Sequence, residues 1–330
     1  MKKNPWLSPI LLFLIPIVVF LVSLFMGRYP KPLFMPFSLL LNDDLAQRLV
    51  FSLRLPRLLC AMLLGMSLSA AGGVMQMLFR NPLVEPGFLG VTHGAGFGAA
   101  LCIIFLNNSP ILVETSATFF ALMGLFLSWL IARRIRFGGW VLRLILSGIA
   151  VSAFFTAGLG VIKYLADPLS QLPAITFWLM GGLNAVTWKD VFYILPVVLV
   201  GLIVIILMRW RLNLLALGDE NAASLGVAVK TERILLLVVS VAISAVVVGV
   251  AGIVSWIGLI IPHIARRLVG ANAANFIPVC IAFGGVFGII CDDIARTMSA
   301  GEIPLGIITS LLGSLIFVGL MLSPRMRFHR

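Results

Sequence analysis

From Arg57 to Phe79 the chain reads RLLCAMLLGMSLSAAGGVMQMLF, and after Arg80-Asn81-Pro82-Leu83-Val84-Glu85-Pro86-Gly87 it resumes at Phe88 as FLGVTHGAGFGAALCIIFL. Each apolar run is close to the ~20 residues that an α-helix needs to cross a hydrocarbon layer. The polar link between them carries two prolines and so cannot continue either helix. Irregular backbone beside a membrane span is tolerated where protein or water satisfies it. The hinge is therefore either a tight interhelical turn or part of the lining of an aqueous path.

Composition sets the class. Of 330 residues, 61% are hydrophobic and 11% charged, with a mean hydropathy of +1.13, more apolar surface than one soluble core hides. The chain reads as all-α: a single polytopic membrane domain over 1–330. The net charge of +12 would suggest nucleic acid in a soluble protein, but the basic residues cluster between apolar runs, as membrane topology demands. No nucleic-acid partner is expected. Cys60, Cys102, Cys280 and Cys291 form no CxxC pair, so they read as small packing residues and no metal site is expected. The first run, about Trp6 to Met26, follows Lys2 and Lys3 but lacks a clear small-residue cleavage site, and reads as a retained first helix.

Hydropathy predicts about ten spans, near 7–26, 57–79, 87–106, 112–132, 142–164, 190–208, 233–251, 254–268, 276–296 and 304–322. The eighth is short and carries Gly252, Gly258 and Pro262, the mark of a broken or partly buried helix. An even count puts both termini on one side. Sixteen of the 24 Lys and Arg fall on that side, among them Lys2, Lys3, Arg80, Arg133, Arg134, Arg209, Arg211, Arg266, Arg267, Arg325, Arg327 and Arg330, so the termini are expected in the cytoplasm. Arg48, Arg54, Arg57 and Arg296 are the exceptions, and generic snorkelling towards headgroups would account for them. Gly94 with Gly98, and Gly284 with Gly288, have the small-xxx-small spacing that lets membrane helices approach closely.

The polar interruption over 213–229 has a different character. Leu214, Leu215 and Leu217 precede Gly218. Asp219 and Glu220 then open a short helical stretch with Ala222, Ala223 and Leu225 before Gly226. Acidic residues suit a helix start and glycine its end. The loop reads as a short cytoplasmic helix pair shaped to seat in a partner; the alternative, a helix resting on lipid, fits poorly with two carboxylates facing an anionic leaflet.

Five segments in series carry a resemblance: Arg54-Leu-Pro-Arg57, Arg80-Asn-Pro-Leu83 through Glu85-Pro-Gly-Phe-Leu-Gly90, Leu217-Gly-Asp-Glu-Asn-Ala-Ala-Ser-Leu-Gly226, Gly258-Leu-Ile-Ile-Pro-His-Ile-Ala-Arg266 and Glu302-Ile-Pro-Leu-Gly-Ile-Ile-Thr309. In this order, over about 54–320, they resemble the FecCD/BtuC-like permeases of type II ABC importers, which carry iron–siderophores, haem and cobalamin. The resemblance implies ten helices and a permease dimer, with a homodimer expected and a heterodimer open. It also implies two separate ATP-binding subunits and a periplasmic or lipid-anchored substrate-binding protein, in a multi-pass assembly of the cell membrane.

Carried over by motif, Arg54, Arg57 and Arg296 would grip acidic residues of the binding protein. Leu217, Gly218, Asp219, Glu220, Ala223, Leu225 and Gly226 would couple to an ATPase. Asn81 and Leu83, with Val141 and Leu142 aligned less distinctively, would narrow the cytoplasmic end of the pathway. Pro262 and His263 match a motif whose physical task the sequence does not disclose. The chain has no GxxxxGK[ST] phosphate loop, so it is expected to be no enzyme and to bind no cofactor, with ATP and Mg handled by the partner subunits. An iron–siderophore or other metal chelate leads as cargo, then cobalamin or haem, then an oxyanion such as molybdate. An ion-coupled secondary transporter would want carboxylates in mid-span, and none stands out in the sequence.

Overall fold

The computed structural model describes residues 9–29, 33–106, 109–299 and 301–322; Lys2, Lys3, Lys31, Arg325, Arg327 and Arg330 lie outside the described residues, and with them the expected placing of the termini. Helix α1 (Pro9–Phe25) ends in a small hairpin, β1 (Met26–Gly27) antiparallel to β2 (Leu33–Phe34). Short helices α2 (Phe37–Asn42) and α3 (Asp44–Arg48) follow, with Asp43 between them accepting from the Leu45 N–H and from the Tyr29 hydroxyl at 2.6 Å. A widened π-helical stretch, Leu49–Arg54, runs without a break into α4 (Leu55–Leu78), so the apolar helix over Asp44–Leu78 is 35 residues long.

Helix α4 is the axis of the bundle. Around it pack α9 (Trp188–Leu215), α11 (Val229–Ala251), α12 (Ile257–Val269) and α13 (Ala273–Thr297), while α5 (Val91–Phe105), α6 (Pro110–Arg134) and α7 (Trp140–Leu165) form a second group beside α11. Lipid tails supply no hydrophobic drive between spans, so close van der Waals approach must replace it. The sequence provides for this with small residues. Gly65 of α4 lies against the backbone of Gly284 and Gly288 in α13, Gly72 lies against the Gly258 carbonyl in α12, and the Ser69 hydroxyl donates to the Cys280 carbonyl at 2.7 Å. Gly94 and Gly98 do the same between α5 and α6, where the Ser116 hydroxyl donates to the Gly98 carbonyl at 2.7 Å. A β-branched side chain at Gly284 would collide with the Gly65 carbonyl and the Ser69 side chain. Overpacking costs typically about 1–3 kcal/mol even where neighbours yield, and backbone yields least, so Gly284→Val should remove most of the monodisperse protein extracted in detergent. An unchanged size-exclusion profile would show that α4 and α13 separate without harm.

Every expected span coincides with a helix, the last being α14 (Leu305–Leu322). Among the described residues, seven helices are long and apolar enough to cross a membrane, and Leu14–Phe25 and Val91–Phe105 are shorter apolar helices. Two expectations are revised and one holds. Helix α9 continues to Leu215, so the anticipated cytoplasmic helix pair is one extended span plus a single short helix, α10 (Asp219–Ser224). Residues 181–187 follow a ten-residue helix, α8 (Gln171–Met180), that hydropathy did not separate from its surroundings. The eighth segment is interrupted as expected: 252–256 is non-helical, Trp256 has φ +75, and only the 13 residues of α12 are helical.

Those unwound stretches converge. Gly181, Gly252 and Gly306 meet the backbone of Trp178, Met180 and Ile253 so closely that no side chain fits. The meeting point borders a cavity of about 340 Å³, whose lining includes Arg57, Glu114, Asn184, Asp190 and Glu302. The irregular backbone is thus packed in protein or borders this cavity, as a span's unsatisfied backbone requires.

Candidate coupling and docking sites

One end of the bundle gathers the close of α4, the start of α7, the close of α9, α10 and the start of α11. Helix α10 begins at Gly218, whose φ of +114 suits glycine. Asp219 and Glu220 occupy its first turn, favourable at the positive end of a helix. It closes with the Gly226 N–H on the Ala223 carbonyl at 3.0 Å and the Val227 N–H on the Ala222 carbonyl at 3.1 Å, around a left-handed Gly226. That is the Schellman termination glycine permits. Ala222 is buried beneath the helix, while Leu217 (55% exposed), Leu225 (57% exposed), Asp219, Glu220, Ala223 and Gly226 face outward. The proposed coupling residues thus form one protruding surface, apart from half-buried Gly218.

Asp219 turns part of its carboxylate inward, where it ion-pairs with the buried Arg233; Nη1 donates to Oδ2 at 3.1 Å. The hydrogen bond from Arg233 holds this carboxyl below the usual carboxylate range against the opposing effect of desolvation, and the charges of Arg233 and Arg80 act in the same direction as the hydrogen bond. Arg233 also lies over the Trp140 ring at 4.1 Å, and Trp140 packs on Phe79 with ring centroids 5.2 Å apart. Phe79 leads into the hinge. There the Asn81 side chain accepts from the Leu83 N–H at 3.0 Å, an Asx turn that leaves the Leu83 side chain exposed. Glu85, further along, lies close to the backbone of Trp256, so the hinge abuts the start of α12. Val141, half-buried, and Leu142, exposed, follow Trp140 directly. His263 sits in α12 against the Phe317 ring, 6.1 Å between centroids, with its buried Nδ1 unpartnered.

At the opposite end the structure brings Arg54, Arg57 and Arg296 together but turns them inward. Arg57, with its side chain 12% exposed, donates from Nε to Asp292 at 2.8 Å and from Nη1 to Glu302 at 2.8 Å. Arg296, 7% exposed, pairs with Asp293 and donates to the Ser23 carbonyl at 2.6 Å. Arg54 is half-buried against Gly27 and donates to the Leu24 carbonyl at 3.3 Å. The three arginines expected to grip acidic residues of a binding protein are thus already engaged within the chain: buried charges need partners, and the chain supplies them. The carboxylates Asp292, Asp293 and Glu302 were not singled out as partners by the sequence, although Asp292 and Asp293 stand one helical turn before Arg296. Arg28, Arg48 and Lys189 are exposed cations of this region. Among the described residues no group of three or more His, Cys, Asp or Glu is arranged to hold a metal ion.

A bundle of packed apolar helices, seven of them among the described residues long and apolar enough to cross a membrane, defines a helical membrane protein. The FecCD transport family matches residues 14–323, and the chain belongs to that family. It is 37% identical over 314 residues to the molybdate import system permease protein MolB of Haemophilus influenzae, covering 93% of this chain and 92% of that one. It is 38% identical over 288 residues to a probable iron chelatin transport system permease protein of Helicobacter pylori, covering 86% of each. A solved inward-facing conformation of a transporter assigned to the metal-chelate ABC type superposes with a TM-score of 0.87 at 35% identity, over 94% of this chain and 97% of that one. The chain is accordingly a multi-pass transport permease of the ABC importers that carry metal chelates, haem, cobalamin or molybdate.

Proposed function

We propose that this permease passes an iron–siderophore or similar metal chelate into the cytoplasm, as one half of a permease dimer, by alternating access driven by two separate ATPase subunits. The observation that carries the reading is the α10 surface. Glu220 and Ala223 protrude on a six-residue helix flanked by the exposed Leu217 and Leu225, at an end rich in Arg80, Arg133, Arg134, Arg209, Arg211, Arg266 and Arg267. By the positive-inside rule that end faces the cytoplasm, where ATP is available to a partner. The ATPases would bind nucleotide and Mg; this chain would convert their closure into tilting of its helices. Asn81, Leu83, Val141 and Leu142 would supply the inner constriction. At the other end, carboxylates of a binding protein would meet Arg48 first and then compete with Glu302 for Arg57, the pair nearest solvent in that network.

Similarity to MolB favours molybdate as a second cargo. Proteoliposomes holding permease and ATPases, supplied with the cognate binding protein, separate the two. ATP-dependent uptake of a radio-iron hydroxamate chelate, with molybdate uptake at background, is the expected result. The reverse pattern would assign the oxyanion, and uptake driven by a proton gradient without ATP would overturn the importer reading.

A further inference from the structure

We infer that Arg233 and Trp140 are positioning residues that transmit movement of α10 to both elements of the inner constriction, the 80–83 hinge and the start of α7. The inference rests on α10 being the ATPase contact and adds the route by which that contact acts. A six-residue helix holds no shape alone and moves with whatever anchors it. Besides Ala222, buried beneath it, two charged contacts anchor it. Asp219 is ion-paired with Arg233 from the first turns of α11, and the Arg80 guanidinium lies against Gly218, where a β-carbon would be 3.2 Å from Nη2.

Both anchors lead to the constriction. Arg80 is the residue before Asn81, and it closes α4 in the left-handed conformation, φ +50, that a helix end normally gives to glycine. Its N–H reaches the Met77 carbonyl at 3.3 Å and the Asn81 N–H reaches the Gln76 carbonyl at 3.2 Å, completing that motif with a side chain that is unfavourable there. A guanidinium directed at α10 is what the arginine adds over glycine. On the other side, Arg233 spends its flat face on Trp140 and leaves its buried Nε without a hydrogen-bond partner, so the ring is part of its solvation. Trp140 is the first residue of α7, adjacent to Val141 and Leu142, and its ring also rests on Phe79, adjacent to Arg80. Displacing α10 must therefore either strip the buried Arg233 of its carboxylate or carry α7 and the hinge with it. Leaving a buried cation unpaired is the costlier course.

The test uses the permease–ATPase complex with spin labels at Leu142→Cys and, as a reference on α14, Leu315→Cys; the four native cysteines are buried. Adding a non-hydrolysable ATP analogue should shift the label distance in the otherwise native chain. Trp140→Leu and Arg233→Leu should each reduce that shift at least fivefold while ATPase co-purification and ATP hydrolysis stay within twofold. Trp140→Phe and Arg233→Lys, which keep a cation over a ring, should restore most of it. A structural staple would lower folded yield in all four variants alike and leave the shift in the surviving protein, which would overturn the proposal. So would the absence of a shift in the native chain. If Arg233→Leu does not fold, the half-buried Trp140→Leu decides alone. Glu220→Lys tests the underlying reading separately: retained ATPase binding there would remove α10 as the contact, whereas a persisting shift in Trp140→Leu would remove only the route.

Discussion

Asp292→Ala is expected to destabilise the permease by about 3–5 kcal/mol, the usual consequence of removing one partner from a buried ion pair. Asp292 has no exposed side-chain surface, accepts from Arg57 Nε at 2.8 and 3.1 Å, and lies 3.8 Å from Arg296 Nε. With it in place, Arg57 and Arg296 face Asp292, Asp293 and Glu302. Without it, the Arg57 Nε loses its acceptor while its charge stays largely buried. The network joins α1 through Ser23, α4 through Arg57, α13 through Arg296 and the entry to α14 through Glu302, so the loss should spread beyond one contact. Adding Arg57→Leu to Asp292→Ala should recover more than about 1 kcal/mol relative to additivity, because the orphaned charge leaves with its partner. Thermal unfolding in detergent reads both. A shift corresponding to less than 1 kcal/mol for Asp292→Ala would mean that water already screens this network.

How much of this was legible beforehand depended on the range of the cause. The hinge at 80–87, the interruption before α12, the Gly284/Gly288 seam and the glycine-terminated helix at 219–226 were readable because each follows from local residues: prolines, spacing of small side chains, acid at a helix start. The fate of Arg57 and Arg296 was not. Their burial is set by Glu302, 245 positions from Arg57, and by Ser23, 273 positions from Arg296. No window on the sequence joins those pairs. Helix α8 escaped for another reason: at ten residues it spans about 15 Å, too short for a hydropathy pattern to register as a crossing. Leu214, Leu215 and Leu217 misled in the opposite sense, since apolar residues after the polar pair at Arg209 and Arg211 read as a new element although α9 carries straight through to Leu215. Arg233 and Trp140 carried no motif at all. Their pairing joins the first residue of α7 to the first turns of α11, a contact that only the assembled helices reveal.

Gly226→Pro should abolish ATP-driven uptake, by a factor of 100 or more, while leaving the membrane domain folded. Proline fixes φ near about −65°, and residue 226 has φ +78 with its N–H on the Ala223 carbonyl, so the substitution forbids both the conformation and the hydrogen bond that end α10. A Cβ at 226 meets nothing within 4 Å, so no collision reaches the bundle, and the damage stays in the loop. Glu220→Lys is the complementary change. It keeps the backbone but places a cation in the first turn, where the helix end is already positive. It also reverses the charge beside Leu217 on the outward surface, so association with the ATPase should weaken at low salt and partly recover as salt screens the repulsion. A pull-down of ATPase across a salt series, with uptake measured in parallel, distinguishes the two. Gly226→Pro should fail at every ionic strength because its defect is shape, whereas Glu220→Lys should improve with salt because its defect is charge. Uptake at native levels in both variants would mean that energy enters this permease somewhere other than α10.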